Sequence, residues 1–188
     1  MRLFTAIDLP NEILLRLDRL MTVLRPEALL KWSPLDNLHV TTKFIGEWPE
    51  ARLSELVTAL HDLNRRSPFQ AELKHLNWLP NEKWPRALTL GVESGEGLPR
   101  LARETEETLI GLGIRKEERG YHPHLTLARI KNPVPLRGLH EKIDELEPTS
   151  LGSFTVDGFS LYRSDPGSHS SVYRKLHSYR FESVAAAM

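Results

Sequence analysis

The chain has 188 residues and a mass of 21.5 kDa, and its 25 basic residues balance its 25 acidic residues. Because the formal net charge is zero, no global electrostatic field attracts the protein to nucleic acid or membranes, so any contact with nucleic acid must be local. The absence of cysteine excludes disulfides, thiol nucleophiles and thiolate metal sites, and it favours a cytoplasmic location. Asp8 and Pro10 interrupt the only apolar stretch near the N-terminus, so we expect neither a signal peptide nor a membrane anchor.

The sequence predicts that strands and helices alternate in both halves of the chain. Short apolar or alternating segments predict strands at Leu3–Leu9, Asn37–Ile45, Phe69–Leu79, Arg86–Val92, His122–Ile130, Phe154–Tyr162 and Ser171–Phe181. Apolar residues at helical spacing predict helices from Pro10 to Leu24, from Pro49 to about Leu63, from Leu98 to Leu112 and from Leu136 to Leu146. Since no low-complexity linker separates the halves, we expect a single two-lobed domain over residues 1–188.

A short chemical pattern occurs once in each half. The first copy is His39-Val40-Thr41 and the second is His124-Leu125-Thr126, 85 residues further on. Because alternate side chains of a strand share a face, each histidine is expected beside its threonine, roughly 7 Å along the chain. The sequence therefore predicts two polar ledges, one on each motif strand.

The opposite face of each motif strand is predicted to be apolar. In the first strand we expect Val40 and Phe44 to fill the core, with Lys43 beside His39 and Thr41 on the polar face. The second strand follows the same pattern, with Leu125 and Leu127 opposing His124 and Thr126.

Paired ledges of this kind suit phosphoryl chemistry. An imidazole exchanges a proton near neutral pH, and an adjacent hydroxyl donates a hydrogen bond to a phosphate oxygen. A single His-x-Thr is expected by chance in roughly every second chain of this composition, so one copy alone would indicate little. Two copies, each within an apolar strand, favour a catalytic role over two structural histidines.

Four segments carry a resemblance to a known family. In chain order they are MRLFTAIDLP, NLHVTTKFIGE, HPHLTLAR and FSLYRSDPGSHSSVYRKL. With these segments the chain resembles the two-histidine phosphoesterases, and within them the bacterial and archaeal RNA 2′,3′-cyclic phosphodiesterases first described as 2′-5′ RNA ligases. The resemblance covers nearly the whole chain.

The resemblance implies a fold and an activity. The fold would be α+β and bilobal, with two antiparallel-rich sheets related by a pseudo-two-fold axis, outer helices and a central cleft where the motif strands meet. The reaction would be metal-independent hydrolysis of a 2′,3′-cyclic phosphate on an RNA end or a nucleotide, without a cofactor, by a monomer. The same groups, acting in reverse, would join RNA ends through a 2′-5′ linkage.

The resemblance also assigns roles to the motif residues. His39 would protonate the departing 3′ oxygen and His124 would activate water, giving a 2′-phosphate, while Thr41 and Thr126 would bind phosphate oxygens. The symmetry of the motifs alone leaves open which histidine is the acid.

Two positions depart from the family pattern. Thr42 follows the first motif threonine, where an apolar residue is typical, and Lys43 stands where many relatives carry arginine. Because lysine cannot form a bidentate fork, the second departure weakens the predicted grip on phosphate.

Other residues are weaker candidates for substrate contacts. Phe44 and Tyr121 could stack on a nucleobase, although core packing is the commoner role of aromatic residues. Arg129 would reach a phosphate beside Thr126 only if a bulge or the strand's end redirected it. Four further cationic residues could form a basic rim that holds RNA, although a solvated surface is the commoner role of such residues; they are Arg115, Lys116, Arg119 and Lys131. His122 and His124 lack a third ligand at a recognisable spacing, so no metal site is predicted.

Two other functions remain open at this point. One is a non-catalytic module that binds a nucleotide or an RNA end. The loss of a motif histidine or threonine would indicate such a module. All four are present. The other is a phosphodiesterase acting on small cyclic nucleotides or on ADP-ribose cyclic phosphate, which would need the same four groups.

Overall fold

The structure is a computed structural model that describes residues 1–168 and 170–183, so His169 lies outside the described residues. The α-helices of the described chain are α1 (Asn11–Leu24), α2 (Leu53–His61), α3 (Gly97–Gly111) and α4 (Arg137–Leu146). Its strands are β1 (Arg2–Ile7), β2 (Lys31–Trp32), β3 (Val40–Glu47), β4 (Phe69–Leu79), β5 (Ala87–Glu93), β6 (His124–Arg129), β7 (Ser150–Val156), β8 (Gly158–Asp165) and β9 (Val172–Arg180).

The helices form because their apolar residues recur every three or four positions and pack on the sheet as one stripe. In α1 this stripe comprises Ile13, Leu17, Leu20, Met21 and Leu24, all of which are buried. α4 buries Leu139 and Ile143 in the same way. Side chains from all four helices join the strands in one contiguous hydrophobic core.

The strands form one curled antiparallel sheet in the order β7-β4-β5-β6-β3-β1-β8-β9, with β2 added to β6. Its two halves meet at β3 and β6, which pair in register only at Val40 and Leu125. The α+β class is therefore confirmed. Two sheets were expected, but the pairing of Val40 with Leu125 joins them into one continuous sheet.

The strand pairs that carry the two motifs match residue by residue. Ala6 pairs with Thr41 on β1–β3, and Thr89 pairs with Thr126 on β5–β6. One residue further along, the register shifts in both pairs, because Thr42 and Leu127 each form a β-bulge. The duplication predicted from the motifs thus extends to the pairing of the strands.

The single strand predicted at Phe154–Tyr162 is wrong, because β7 ends at Val156 and β8 begins at Gly158. β7 pairs with β4 in one half of the sheet, whereas β8 pairs with β1 in the other. The chain crosses between the halves here, and a Cβ atom on Gly158 would lie 2.4 Å from the Tyr179 carbonyl oxygen. Because apolar residues continue from β7 into β8, the sequence pattern did not indicate that one strand ends and another begins here.

Candidate active site

The four motif side chains lie on one side of the junction between β3 and β6. Val40 and Leu125 are fully buried and point into the core. In an antiparallel register, their pairing places His39 level with Thr126, and Thr41 level with His124. Each histidine therefore lies across the junction from the threonine of the other motif.

Both histidines are oriented by the same backbone contact. Nδ1 of His39 donates to the carbonyl oxygen of Asn37 at 2.8 Å, and Nδ1 of His124 donates to that of His122 at 2.8 Å. A carbonyl accepts only, so each Nδ1 carries the proton and Nε2 is left for chemistry. Nε2 of His39 lies 3.0 Å from the Thr41 hydroxyl.

His39 lies in an aromatic environment. Its ring stacks on Phe4 at 4.8 Å between centroids, and Tyr173 approaches edge-on at 5.2 Å. Burial lowers the pKa of His39, the Asn37 carbonyl and the charge of Asp8 act to raise it, and the charge of Arg129 lowers it further. The net shift is downward, so the unbound protein favours the neutral imidazole.

Asp8 is the carboxylate nearest to this histidine in the strand register. It follows Ile7, the partner of Val40, and so comes level with His39 on the neighbouring strand. Ser160 and Lys175 donate to it at 2.8 Å, and Tyr162 also donates to it. Burial alone would raise the pKa of Asp8, but these hydrogen bonds outweigh it and lower the pKa. Asp8 is therefore ionised beside His39.

The prediction that Lys43 shares a face with His39 is wrong. The bulge at Thr42 shifts the alternation by one residue, so Lys43 pairs with Thr5 on the core side. Its side chain is 8% exposed, and its ammonium forms an ion pair with Glu106 of α3 at 2.6 Å. The Thr42 hydroxyl contacts that of Thr5 at 2.7 Å, which satisfies the polar residue at this buried position.

The same bulge reverses the prediction for Phe44. It was expected in the core, but it pairs with Phe4 on the cleft side and is 64% exposed. On the second motif strand, the bulge at Leu127 places Arg129 on the same face as Thr126. A contact between Arg129 and a phosphate beside Thr126 requires this placement. The effect of its charge on His39 agrees with this placement.

Two hydroxyl groups fasten the motif strands to other segments of the chain. Tyr121 donates to the carbonyl oxygen of Thr41 at 3.0 Å, and Ser33 donates to that of Thr126 at 3.0 Å. Burial raises the pKa of Tyr121, so its hydroxyl stays protonated and available as a donor. These contacts link each motif strand to the segment that precedes the other motif.

Within residues 1–168 and 170–183, no three histidine, aspartate or glutamate side chains are grouped so that they could hold a metal ion. In the same part of the chain, no helix is long and apolar enough to cross a membrane.

Several residues around His39 were missed by reasoning from the motifs alone. Phe4 lies on β1 and Asp8 directly follows that strand, while Tyr162 and Tyr173 lie on β8 and β9. They lie within the segments MRLFTAIDLP and FSLYRSDPGSHSSVYRKL, which were noted only for their resemblance to the family. Residue spacing could not reveal that distant segments meet at the first motif.

A curled antiparallel sheet that brings two matched His-x-Thr strands to one side of their junction is the architecture of a two-histidine phosphoesterase. The model of the 2′-5′ RNA ligase superfamily matches residues 10–168, and the chain belongs to this family.

Relatives match over almost the full length of the chain. An RNA 2′,3′-cyclic phosphodiesterase of Methanothermobacter thermautotrophicus is 32% identical over 95% of this chain and 98% of its own. The crystal structure of TT0787 of Thermus thermophilus has a TM-score of 0.83 and 31% identity, covering 98% of this chain and 100% of that one. E. coli LigT complexed with 3′-AMP has a TM-score of 0.75 and 27% identity over 96% and 97%.

Proposed function

We propose that this protein hydrolyses 2′,3′-cyclic phosphate ends of RNA to 2′-phosphomonoesters. The observation that carries the proposal is the matched orientation of His39 and His124. Each donates from Nδ1 to a backbone carbonyl, which leaves Nε2 for chemistry, and each lies level with the threonine of the other motif. The curated relatives named RNA 2′,3′-cyclic phosphodiesterase support the substrate class.

The proposed reaction divides acid and base between the two motifs. Nε2 of His124 takes a proton from water as the water oxygen attacks phosphorus. The bond from phosphorus to the 3′ oxygen breaks, and the protonated Nε2 of His39 donates its proton to that oxygen. The Thr41 and Thr126 hydroxyls donate hydrogen bonds to the non-bridging oxygens, whose negative charge grows in the transition state.

This scheme requires His39 to gain a proton when substrate binds. In the free protein its burial favours the neutral form, while Asp8 acts in the opposite direction. The cyclic phosphate carries a negative charge, and its arrival beside Nε2 adds to the effect of Asp8. Substrate binding therefore favours the protonated form that the reaction needs.

We extend the proposal to the setting in which the reaction occurs. Imidazoles and hydroxyls supply every proton transfer and hydrogen bond in the scheme, so neither a metal nor a cofactor is assigned. The chain acts as one two-lobed, monomeric domain in the cytoplasm. The same site can join a cyclic phosphate to a 5′-hydroxyl that takes the place of water. The hydroxyl gives its proton to Nε2 of His124 as its oxygen attacks phosphorus, and the 3′ oxygen leaves with the proton from His39, which produces a 2′-5′ linkage.

The direct test is hydrolysis of a short RNA that ends in a 2′,3′-cyclic phosphate, with excess EDTA present. We expect full activity and a 2′-phosphate product, identified by phosphorus NMR. The matched control is the double variant His39→Ala/His124→Ala, which reveals any contaminating phosphodiesterase. Activity abolished by EDTA and restored by zinc or manganese would contradict the metal-free scheme.

A further inference from the structure

Three cationic side chains gather at the end of β6. Lys31 of β2 is the register partner of Arg129, so their side chains leave the sheet on the same face. Lys131 follows two residues later, and its ammonium lies close to that of Lys31. We call Lys31, Arg129 and Lys131 the basic cluster.

The charge of the basic cluster is uncompensated by ion pairs within the part of the chain that the structure describes. Among the ion pairs formed by residues 1–168 and 170–183, none involves a member of the cluster. The positive charge of Lys131 is the largest cause that lowers the pKa of Lys31, and Arg129 contributes in the same direction. Three like charges thus repel one another in the free protein, and a bound anion would relieve that repulsion.

The position of the basic cluster relates it to the proposed reaction. Arg129 lies three residues beyond Thr126, about 10 Å along the strand, and the bulge at Leu127 keeps the two on one face. Its charge acts on His39, so the cluster begins at the His39 end of the cleft. β3 and β6 run antiparallel, which places the exposed Phe44 at the opposite end.

We infer that the basic cluster binds the phosphate on the 5′ side of the ribose that carries the cyclic phosphate, and thereby selects RNA ends over free nucleoside 2′,3′-cyclic phosphates. This inference rests on the proposed function. A phosphate on the 5′ oxygen is an anion one ribose away from the reacting phosphorus. A nucleoside cyclic phosphate has no charge there, so the cluster would not contribute to its binding.

The test compares three substrates that carry a cyclic phosphate. These are a nucleoside 2′,3′-cyclic phosphate, a dinucleotide ending in the same nucleoside cyclic phosphate, and ADP-ribose cyclic phosphate. The variants are Lys31→Ala, Lys131→Ala and the double variant, and Lys142→Ala on the outer helix α4 removes the same charge elsewhere. Values of kcat and KM are measured for each combination at low and high salt.

We expect the double variant to raise KM for the dinucleotide about tenfold at low salt, with kcat little changed. The nucleoside cyclic phosphate should respond less than about twofold, and the difference should shrink at high salt because screening weakens the cluster. Lys142→Ala should match the wild type. A selective effect on ADP-ribose cyclic phosphate, without one on the dinucleotide, would overturn the assignment to RNA.

Equal effects on the dinucleotide and the nucleoside cyclic phosphate, or none on either, would overturn the inference while leaving the proposed hydrolysis intact. Failure of the wild-type protein to open any of the three substrates would instead refute the proposed function. The wild-type rates therefore separate the two failures.

Discussion

Phe4 of β1 and Asp8, which directly follows β1, flank the first motif, whereas the matching positions on β5 beside the second motif are Ala87 and Gly91. His39 is consequently stacked and has a carboxylate neighbour, while β5 offers His124 neither. Gly91 has no space for a larger residue, because a Cβ atom there would lie 2.9 Å from the Lys74 carbonyl oxygen. Two strand pairs with the same register thus create different surroundings for the same imidazole.

This difference gives a physical reason for unequal roles. A general acid must carry a proton when substrate is bound, and Asp8 favours the protonated form of His39. A general base must be neutral, and no carboxylate stands at the matching position beside His124. The duplicated backbone places the two histidines in the same geometry, and the side chains that differ between the halves favour an acid at His39 and a base at His124.

The largest expected effect removes either imidazole. We expect His39→Ala and His124→Ala each to lower kcat by about 10²–10⁴-fold, because each histidine is proposed to transfer a proton in the reaction. Hydrolysis of a cyclic-phosphate RNA measures the effect, and thermal unfolding verifies that each variant is folded. A folded variant with a near-normal rate would remove that histidine from the mechanism.

A smaller loss is expected at the two threonines. Thr41→Ala and Thr126→Ala should each lower kcat by about 10–100-fold, since each removes one hydrogen bond to a charged phosphate oxygen. The control variants Thr41→Ser and Thr126→Ser keep the hydroxyl and should recover most of the rate. If the serine variants are as slow as the alanine variants, the hydroxyl is not the active feature.

The sequence predicted the helices because their apolar periodicity is regular, as in α1 and α4, and it predicted most of the strands from short apolar or alternating segments. It failed where pairing overrides alternation. The bulge at Thr42 turned Lys43 inward and Phe44 outward, and a bulge depends on the partner strand rather than on the residues themselves. Likewise, the surroundings of His39 arise from strands far apart in the chain, so no local pattern contained them.

The smallest effect tests the carboxylate that distinguishes the two halves. Asp8→Asn removes a negative charge that raises the pKa of His39, so the alkaline limb of the rate profile should move to lower pH. The acidic limb should move less, because Asp8 lies level with His39 rather than with His124. Asp157→Asn, which affects an exposed carboxylate near Arg180, is the matched control. An unmoved alkaline limb in Asp8→Asn would show that Asp8 does not tune the acid.

The division of roles is tested most directly by single-turnover rates across pH for the wild type, His39→Ala and His124→Ala. We expect a bell for the wild type, because one imidazole must be neutral while the other is protonated. Removing His124 should flatten the acidic limb, where the base becomes protonated, and removing His39 should flatten the alkaline limb, where the acid loses its proton. The opposite pattern, or an RNA product ending in a 3′-phosphate, would contradict the assignment of His39 as the acid.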